Sequence, residues 1–305
     1  MAIDARQVWA ATRFWMETEN LKSRRYGGKS HHHWYALLHL MRAFERGLEL
    51  TGLYGAGVRN AEELVLRELE LPLPGLPPRF SGYRILHLTD LHLDGMPGLP
   101  RRVHQVIAGH EADLCVLTGD YRTELHGPIG PTIDGLRELV GGIHTREGCV
   151  AVLGNHDGCH LVAPMEALGI RLLINEHLDL RRGDDVVRLI GTDDVHYYYT
   201  DQALHALEQA RDHFSIALVH SPELYDSAAD QGIALYLCGH THGGQVCLPG
   251  GRPVITHLSR GRDFVRGQWR YRDMVGITST GVGTSGIPVR FNTRAEVLLL
   301  RLVPA

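Results

Sequence analysis

Five apolar runs in this chain stop at polar clusters of one chemical kind. YRILHL runs into TDLHLD, DLCVLT into GD, GCVAVL into GNHD, HFSIALV into HSP, and GIALYL into CGHTH. The side chains at these stops are Asp90 and His92, Asp120, Asn155 with His156 and Asp157, His220, and His240 with His242. A sixth run, VVRLI, ends in GTDD. The runs are short enough for strands, and helices are predicted between several of them, at about 100–110, 132–141, 161–168, 201–211 and 222–229. Strands separated by helices predict a layered α/β domain. In open α/β sheets functional groups collect beyond the carboxyl ends of the strands, so these five stops are the candidate site.

The residue types narrow the chemistry. Asp, Asn and His supply oxygen and imidazole ligands without a thiolate, a mix that suits Mn, Fe or Zn better than Mg. Gly119, Gly154 and Gly239 each stand one residue before a candidate ligand. Without a Cβ the backbone there turns sharply and approaches an ion closely.

Composition removes other classes. The formal net charge is -4, so no general basic field holds a nucleic-acid backbone. The five cysteines form no CxxC pair, and Cys115, Cys149 and Cys238 fall in apolar runs, which reads as buried free thiols in a reducing compartment. The N-terminus lacks a basic region followed by an apolar run, so no signal peptide is expected. No run is long enough to span a bilayer.

Upstream of the candidate site the pattern changes. Residues 3–16 predict a short amphipathic helix, and Trp34, Leu37, Met41, Phe44 and Leu48 form the stripe of another. Alternation at 64–71 predicts a strand, and PLPGLPPRFSG is a connector. The expected division is a helical extension over 1–60 and a main domain over 61–305. Two readings of the second helix stay open. It packs as an ordinary helix, or its stripe, preceded by Lys22, Arg24, Arg25 and Lys29, lies on an anionic membrane.

The series D90-L-H92, G119-D120, G154-N155-H156-D157, V219-H220 and G239-H240-T241-H242 resembles the calcineurin-like metallophosphoesterase superfamily, with the motifs in the family's order over about 83–245. GTDD, GHTHGGQ and GVGTSGIPVRF are similar to bacterial phosphodiesterases of the YkuE and YaeI type. The resemblance implies a β-sandwich of two mixed sheets flanked by helices, here with the N-terminal extension. It implies two divalent ions, with manganese favoured and iron or zinc open. One ion would take Asp90, His92, Asp120 and His242; the other would take Asp120, Asn155, His220 and His240, with Asp120 bridging. The implied reaction is hydrolysis of a phosphodiester or pyrophosphate by a metal-activated hydroxide. His156 would stand at the substrate as a catalytic group, and Asp157 would orient it.

Substrate choice falls to the loops. SRGRDFVRGQWRYRD carries five arginines; Arg266 and Arg270, with His196, are candidates to hold a small-molecule phosphoester, against the alternative of a solvated loop of salt bridges. His160, His196 and His257 are equally readable as ordinary loop histidines. Alternation sends Tyr197 and Tyr199 one way and Tyr198 the other. Arg290 reads as structural, reaching a loop carbonyl or carboxylate. Nucleotide-linked and lipid-linked substrates are both open, as is phosphomonoesterase activity. A non-catalytic scaffold is the remaining alternative, although every expected ligand is present. The expected location is cytoplasmic, with association at the inner face of a membrane as the variant.

Overall fold

The computed structural model describes residues 4–26 and 29–305, except the side chains of 24–35 and 37. Three helices come first: α1 (Ala5–Tyr26), α2 (Lys29–Leu50) and α3 (Tyr54–Glu62). The expected helices are therefore present but longer, and the strand predicted at 64–71 is β1 (Leu64–Leu73). The chain continues through β2 (Arg84–Leu88), α4 (Leu99–Ile107), β3 (Leu114–Leu117), α5 (Gly130–Gly141), β4 (Cys149–Ala151), α6 (Val162–Ala167) and β5 (Ile170–Leu172). Then come β6 (Glu176–Arg182), β7 (Asp185–Gly191), α7 (Asp201–Leu207), β8 (Phe214–Leu218), α8 (Tyr225–Asp230) and β9 (Leu235–Cys238). The last three strands are β10 (Gly267–Tyr271), β11 (Met274–Thr278) and β12 (Ala295–Pro304).

Two six-stranded mixed sheets result, ordered β1-β12-β2-β3-β4-β5 and β10-β11-β9-β8-β7-β6. They pack face to face. Ile85, Leu114, Val116, Val150 and Leu300 of the first sheet meet Leu189, Ile216, Leu218, Leu235, Leu237 and Ile277 of the second in one buried cluster. The alternate residues point outward beneath helices. Leu86, Cys115 and Leu117 lie under α4, α5 and α6, while Tyr236 and Cys238 lie under α7 and α8. Both faces of the central strands are thus buried, which is why they read as unbroken apolar runs. All five cysteines are free thiols, and Cys115, Cys238 and Cys247 are buried.

Strands β2, β3, β4 and β5 run parallel, as do β7, β8, β9 and β11. The loops that leave their carboxyl ends in both sheets carry the candidate residues. The arginine-rich segment needs correction as a loop, because 267–271 is the edge strand β10. Trp269 stacks on Phe264 (ring centroids 4.3 Å apart) and covers Gly276 of β11, and this packing holds the segment in the sheet.

The first helix buries an unexpected face. Phe14 and Trp15 are 65% and 63% exposed, whereas Arg13 is 1% exposed and Glu17 is also buried. On α2, Leu48 is buried and Met41 lies against Gly286, but Leu40 and Phe44 are exposed. Trp34, Leu37, Arg24, Arg25 and Lys29, part of the stripe and its basic approach, lie outside the described side chains. No helix among the described residues is long and apolar enough to cross a membrane.

Candidate metal centre

The seven candidate ligands converge between the two sheets. Asp90 and His92 follow β2, Asp120 follows β3, and Asn155 follows β4. His220 follows β8, and His240 and His242 follow β9. Close approach depends on glycine. A Cβ on Gly239 would collide with Thr89 and the Asp90 carboxylate, and one on Gly119, at φ +94, would collide with Gly154 and His220. Five of the seven candidate ligands are strained: Asp90, His92, Asp120, His240 and His242 all have positive φ, between 42° and 72°. Such backbone costs of order 1–3 kcal/mol per residue and persists where the surroundings enforce it, typically at functional sites.

Two three-residue groups emerge: Asp90, His92 and His242, then Asp120, His220 and His240. In the first, His92 Nε2 is 3.2 Å from His242 Nε2, and His242 Nε2 is 3.4 Å from Asp90 Oδ1. In the second, His220 Nε2 is 3.2 Å from Asp120 Oδ2 and 3.1 Å from Asn155 Oδ1. His240 Nδ1 is 2.8 Å from the same Asn155 oxygen. Asp120 Oδ2 also lies 3.9 Å from His92 Nε2, so its carboxylate stands between the groups.

The tautomers test whether this arrangement fits cations. His92 Nδ1 is 2.9 Å from the Arg122 carbonyl, and His220 Nδ1 is 2.7 Å from the Thr118 carbonyl. A carbonyl can only accept, so Nδ1 carries the proton in each ring and the neutral form turns an Nε2 lone pair inward. There it meets carboxylate and amide oxygens and other imidazole nitrogens. Such a cluster of buried acceptors fits positive ions.

The protonation balance agrees. Burial lowers His92 to about 4 and holds His240 and His242 well below the usual range, so all three are neutral and ready to ligate. Burial also opposes a charge on His220, but Asp120, Asp90 and Asp194 outweigh it and raise His220 to about 10. Burial raises Asp90 to about 6. Asp120 resists the same burial because His220, His156 and His92 surround it, and it stays ionised well below its ordinary range.

His156 stands beside the first group, its ring edge-on to His92 at 5.2 Å. Its backbone N–H donates to Asp120 Oδ1 (2.9 Å), and its Nδ1 is 2.6 Å from the Thr123 carbonyl. Thr123, not Asp157, orients this ring, which corrects the expected Asp157–His156 pair. The Asp157 carboxylate is occupied by three backbone donors, Asp120 N–H (2.7 Å), Tyr121 N–H (2.9 Å) and Gly154 N–H (2.8 Å). It therefore fixes the loop that bears Asp120.

His196 also reaches the cluster, with its ring 4.3 Å from that of His240 and its Nδ1 2.9 Å from Glu223 Oε2. His257 lies near enough to His196 and His156 that both add to the burial lowering its pKa. His160 is turned away, 3.3 Å from an Arg122 guanidinium nitrogen.

The two candidate arginines are not brought to the cluster. Arg266 donates to the Gly251 carbonyl (2.6 Å). Arg270 is exposed on β10 opposite Val275, three residues back from Thr278, where β11 enters the site. Arg260 pairs with Asp226 and Arg272 with Asp230. Tyr198 is buried, while Tyr197 and Tyr199 are exposed. Thr241 shapes its turn by donating to Val265 O (2.6 Å) and accepting from Gly243 N–H (3.2 Å).

Two supporting residues escaped the sequence reading, Thr123 behind His156 and Glu223 behind His196. A third, Arg13, reaches the back of the site from α1. Its only local sign is the four-residue spacing of Trp9, Arg13 and Glu17, which puts the three on one face of a helix whose Phe14 and Trp15 point elsewhere.

Comparison with known proteins agrees with this geometry. A family model described as calcineurin-like phosphoesterase matches residues 83–244. The chain is 27% identical over 256 residues to an uncharacterized metallophosphoesterase, YkoQ, of Bacillus subtilis, covering 80% of this chain and 92% of that protein. It is 29% identical over 238 residues to YkuE of the same organism, covering 74% and 81%. With phosphodiesterase YaeI of Escherichia coli it shares 27% identity over 231 residues, covering 72% and 82%.

Proposed function

The chain belongs to the calcineurin-like phosphoesterases and is a phosphoester hydrolase; from that premise we propose that it cleaves phosphodiester or pyrophosphate bonds at a dinuclear centre. The observation that carries this reading is the pair of buried carboxylate–imidazole groups with Asp120 between them. Asp90, His92, Asp120 and His242 would hold one ion, and Asp120, Asn155, His220 and His240 the other. Manganese is the proposed metal, because mixed imidazole and carboxylate ligands suit it. When bound, the ions supply Lewis acidity and activate a water as nucleophile near neutral pH.

The chain's own groups do the remaining work. Asp120 and Asn155 face both the cluster and its histidines, so they fix the spacing between the two ligand sets. His156, tied through Nδ1 to Thr123, leaves Nε2 for the substrate, where it moves a proton to or from an ester oxygen. His196, held by Glu223, borders the opposite side at His240. The groups bordering the cluster are imidazoles. The nearby arginines Arg13, Arg122 and Arg290 are each 1% exposed or less and are hydrogen-bonded to backbone carbonyls. A singly charged diester needs less added cationic support than a doubly charged monoester, which favours the diester. The phosphodiesterase name of the YaeI relative supports the same choice.

Location is proposed as cytoplasmic. Exposed Phe14 and Trp15 on α1 support peripheral contact with the inner face of a membrane.

The test is turnover of bis(p-nitrophenyl) phosphate and p-nitrophenyl phosphate by the manganese-loaded chain, with metal content measured in parallel. Two ions per chain, faster diester cleavage and loss of both on chelation are expected. Full activity with one ion, or preference for the monoester, would reject the dinuclear or the diester part of the reading respectively.

A further inference from the structure

We propose that Arg13 is a positioning residue that holds the loops bearing His156 and His196 in register, making α1 a working part of the site. This inference rests on the catalytic reading of that site. The Arg13 side chain is buried, and each face of its guanidinium is used. One Nη2 donates to the carbonyls of Gly154 (3.2 Å) and Asp157 (2.7 Å), which flank Asn155 and His156. Nη1 donates to the carboxylate of Asp193, at the start of the loop that leads to His196. Nε donates to Glu17 Oε1 (3.1 Å), and the same oxygen accepts from the Cys159 N–H (2.8 Å). The Tyr198 ring covers the group, with its centroid 3.6 Å from Cζ.

The two loops also have their own links to this point. Trp9 Nε1 donates to the second Asp193 oxygen (2.7 Å). Asp193 Oδ1 accepts from the Asp194 N–H (2.8 Å), and the Asp194 carboxylate accepts from the N–H groups of His196 (3.2 Å) and Tyr197 (2.8 Å). A chain of direct hydrogen bonds thus runs from the Gly154–Asp157 backbone through Arg13 and Asp193 to His196. The guanidinium hydrogen-bonds to both loops at once.

Stability alone is a poor explanation for such a group. Burying a charged pair costs desolvation that a well-packed apolar contact would avoid, so its best attested use is to specify an arrangement. A planar fork of five fixed donors does this better than an ammonium, which would serve one loop at a time. His156 is tied to Asp120 and Thr123 on its inner side. Arg13 sets its outer side, and a displacement of about 1 Å at such a loop is enough to cost ~10²-fold in rate. On this reading the extension over 1–60 and the domain over 61–305 act as one unit.

The test uses the full chain loaded with manganese, in the parent, Arg13→Ala, Arg13→Lys and Glu17→Gln. Four readouts are taken: kcat and KM on bis(p-nitrophenyl) phosphate, metal content, rescue by methylguanidinium, and amide exchange over 154–160 and 192–197. For Arg13→Ala we expect kcat to fall by about 10–100-fold with KM nearly unchanged and both metals retained. Exchange should quicken in both loops together. Methylguanidinium should restore part of the rate in Arg13→Ala alone, and lysine should not replace arginine. Glu17→Gln, which leaves Arg13 in place but weakens its hold, should show the same split at a few-fold and keeps the test open if Arg13→Ala does not fold. Unchanged kcat with unchanged exchange in both loops would overturn the proposal, as would a rate loss that only tracks metal loss. A parent without any phosphoester turnover would sink the catalytic reading, and the exchange of the two loops would still decide whether Arg13 couples them.

Discussion

The site has two ends, each fastened by one buried arginine, and the two are fastened differently. At the β9–β11 end Arg290 donates to the carbonyls of Thr280 (2.7 Å), Gly281 (3.1 Å), Gly283 (2.7 Å) and His242 (3.2 Å). No carboxylate contacts it among the described residues, and burial lowers it to about 10. At the β4–β7 end Arg13 meets two carbonyls and two carboxylates. Burial works against its charge, but Asp193 and Asp194 outweigh that and raise its pKa above the usual value. Arg290 comes from the same tail as the 280–283 loop it holds, 7 to 10 residues away, and reaches back 48 residues to the His242 carbonyl. Arg13 reaches across 141 to 180 positions of sequence. One end is closed by neighbouring chain, and the other by an element that must dock from elsewhere.

The largest expected effect removes the floor on which both ends rest. Asp120→Ala deletes the carboxylate placed between the ligand groups, so activity should fall to the buffer blank and metal content should drop below two ions per chain. Elemental analysis beside a rate assay reads both. Retention of two ions would mean that the ends alone can hold the metals.

His156→Ala acts at the Arg13 end only. It should lose ~10²–10⁴-fold in kcat, the usual contribution of a positioned proton-transfer group, while keeping both metals. An emptied metal site in this variant would make His156 a ligand and would erase the distinction between floor and wall.

The two ends also differ in how legible they were. The residues that converge in the cluster could be read in the sequence because metal chemistry demands particular side chains and the fold demands that they follow strands. DLH, GD, GNHD and GHTH therefore announce themselves within a few residues. The same signals gave a layered α/β domain, and the two-sheet sandwich came from the resemblance they carry. Arg290 was readable as structural, and its carbonyl cradle fits that reading. Arg13 was hidden, because the carbonyls of Gly154 and Asp157 exist in every sequence and their partner stands more than a hundred residues away. The arginines at 260–272 erred in the opposite direction. Their number suggested a phosphate grip, but a local count cannot reveal that Asp226, Asp230 and Gly251 O lie within reach. The resemblance implies that Asp157 orients His156, yet in a tight turn its carboxylate serves the N–H groups of Asp120, Tyr121 and Gly154.

Arg290→Met sharpens the comparison through stability. It orphans several buried carbonyls at ~1 kcal/mol or more each and leaves no unpaired buried charge, so a loss of about 3 kcal/mol is expected in chemical denaturation. Arg13→Met instead leaves the carboxylates of Asp193 and Glu17 without their cationic partner, so its deficit should exceed that of Arg290→Met. Equal deficits would mean that the two arginines do one job.

The smallest effect is a local titration. Cys159 is half-buried behind the Arg13 end, and its thiol is raised to about 11, first by burial and then by the Glu17 carboxylate, against an opposing effect of Arg13. A thiol ionises to an anion, so a neighbouring anion raises its pKa and a neighbouring cation lowers it. Glu17→Gln removes the anion and should move the pH midpoint of Cys159 alkylation downward. Arg13→Met removes the cation without opening the site and should move it upward. Arg290→Met, at the other end, should leave it in place. Mass-spectrometric peptide mapping after iodoacetamide treatment across a pH series separates Cys159 from the other four thiols. Opposite shifts for Glu17 and Arg13, with none for Arg290, would show that the two ends are electrostatically separate. A shift in the Arg290 variant would mean that the cup responds as a single body, and a common direction for Glu17 and Arg13 would mean that exposure, not charge, sets the thiol.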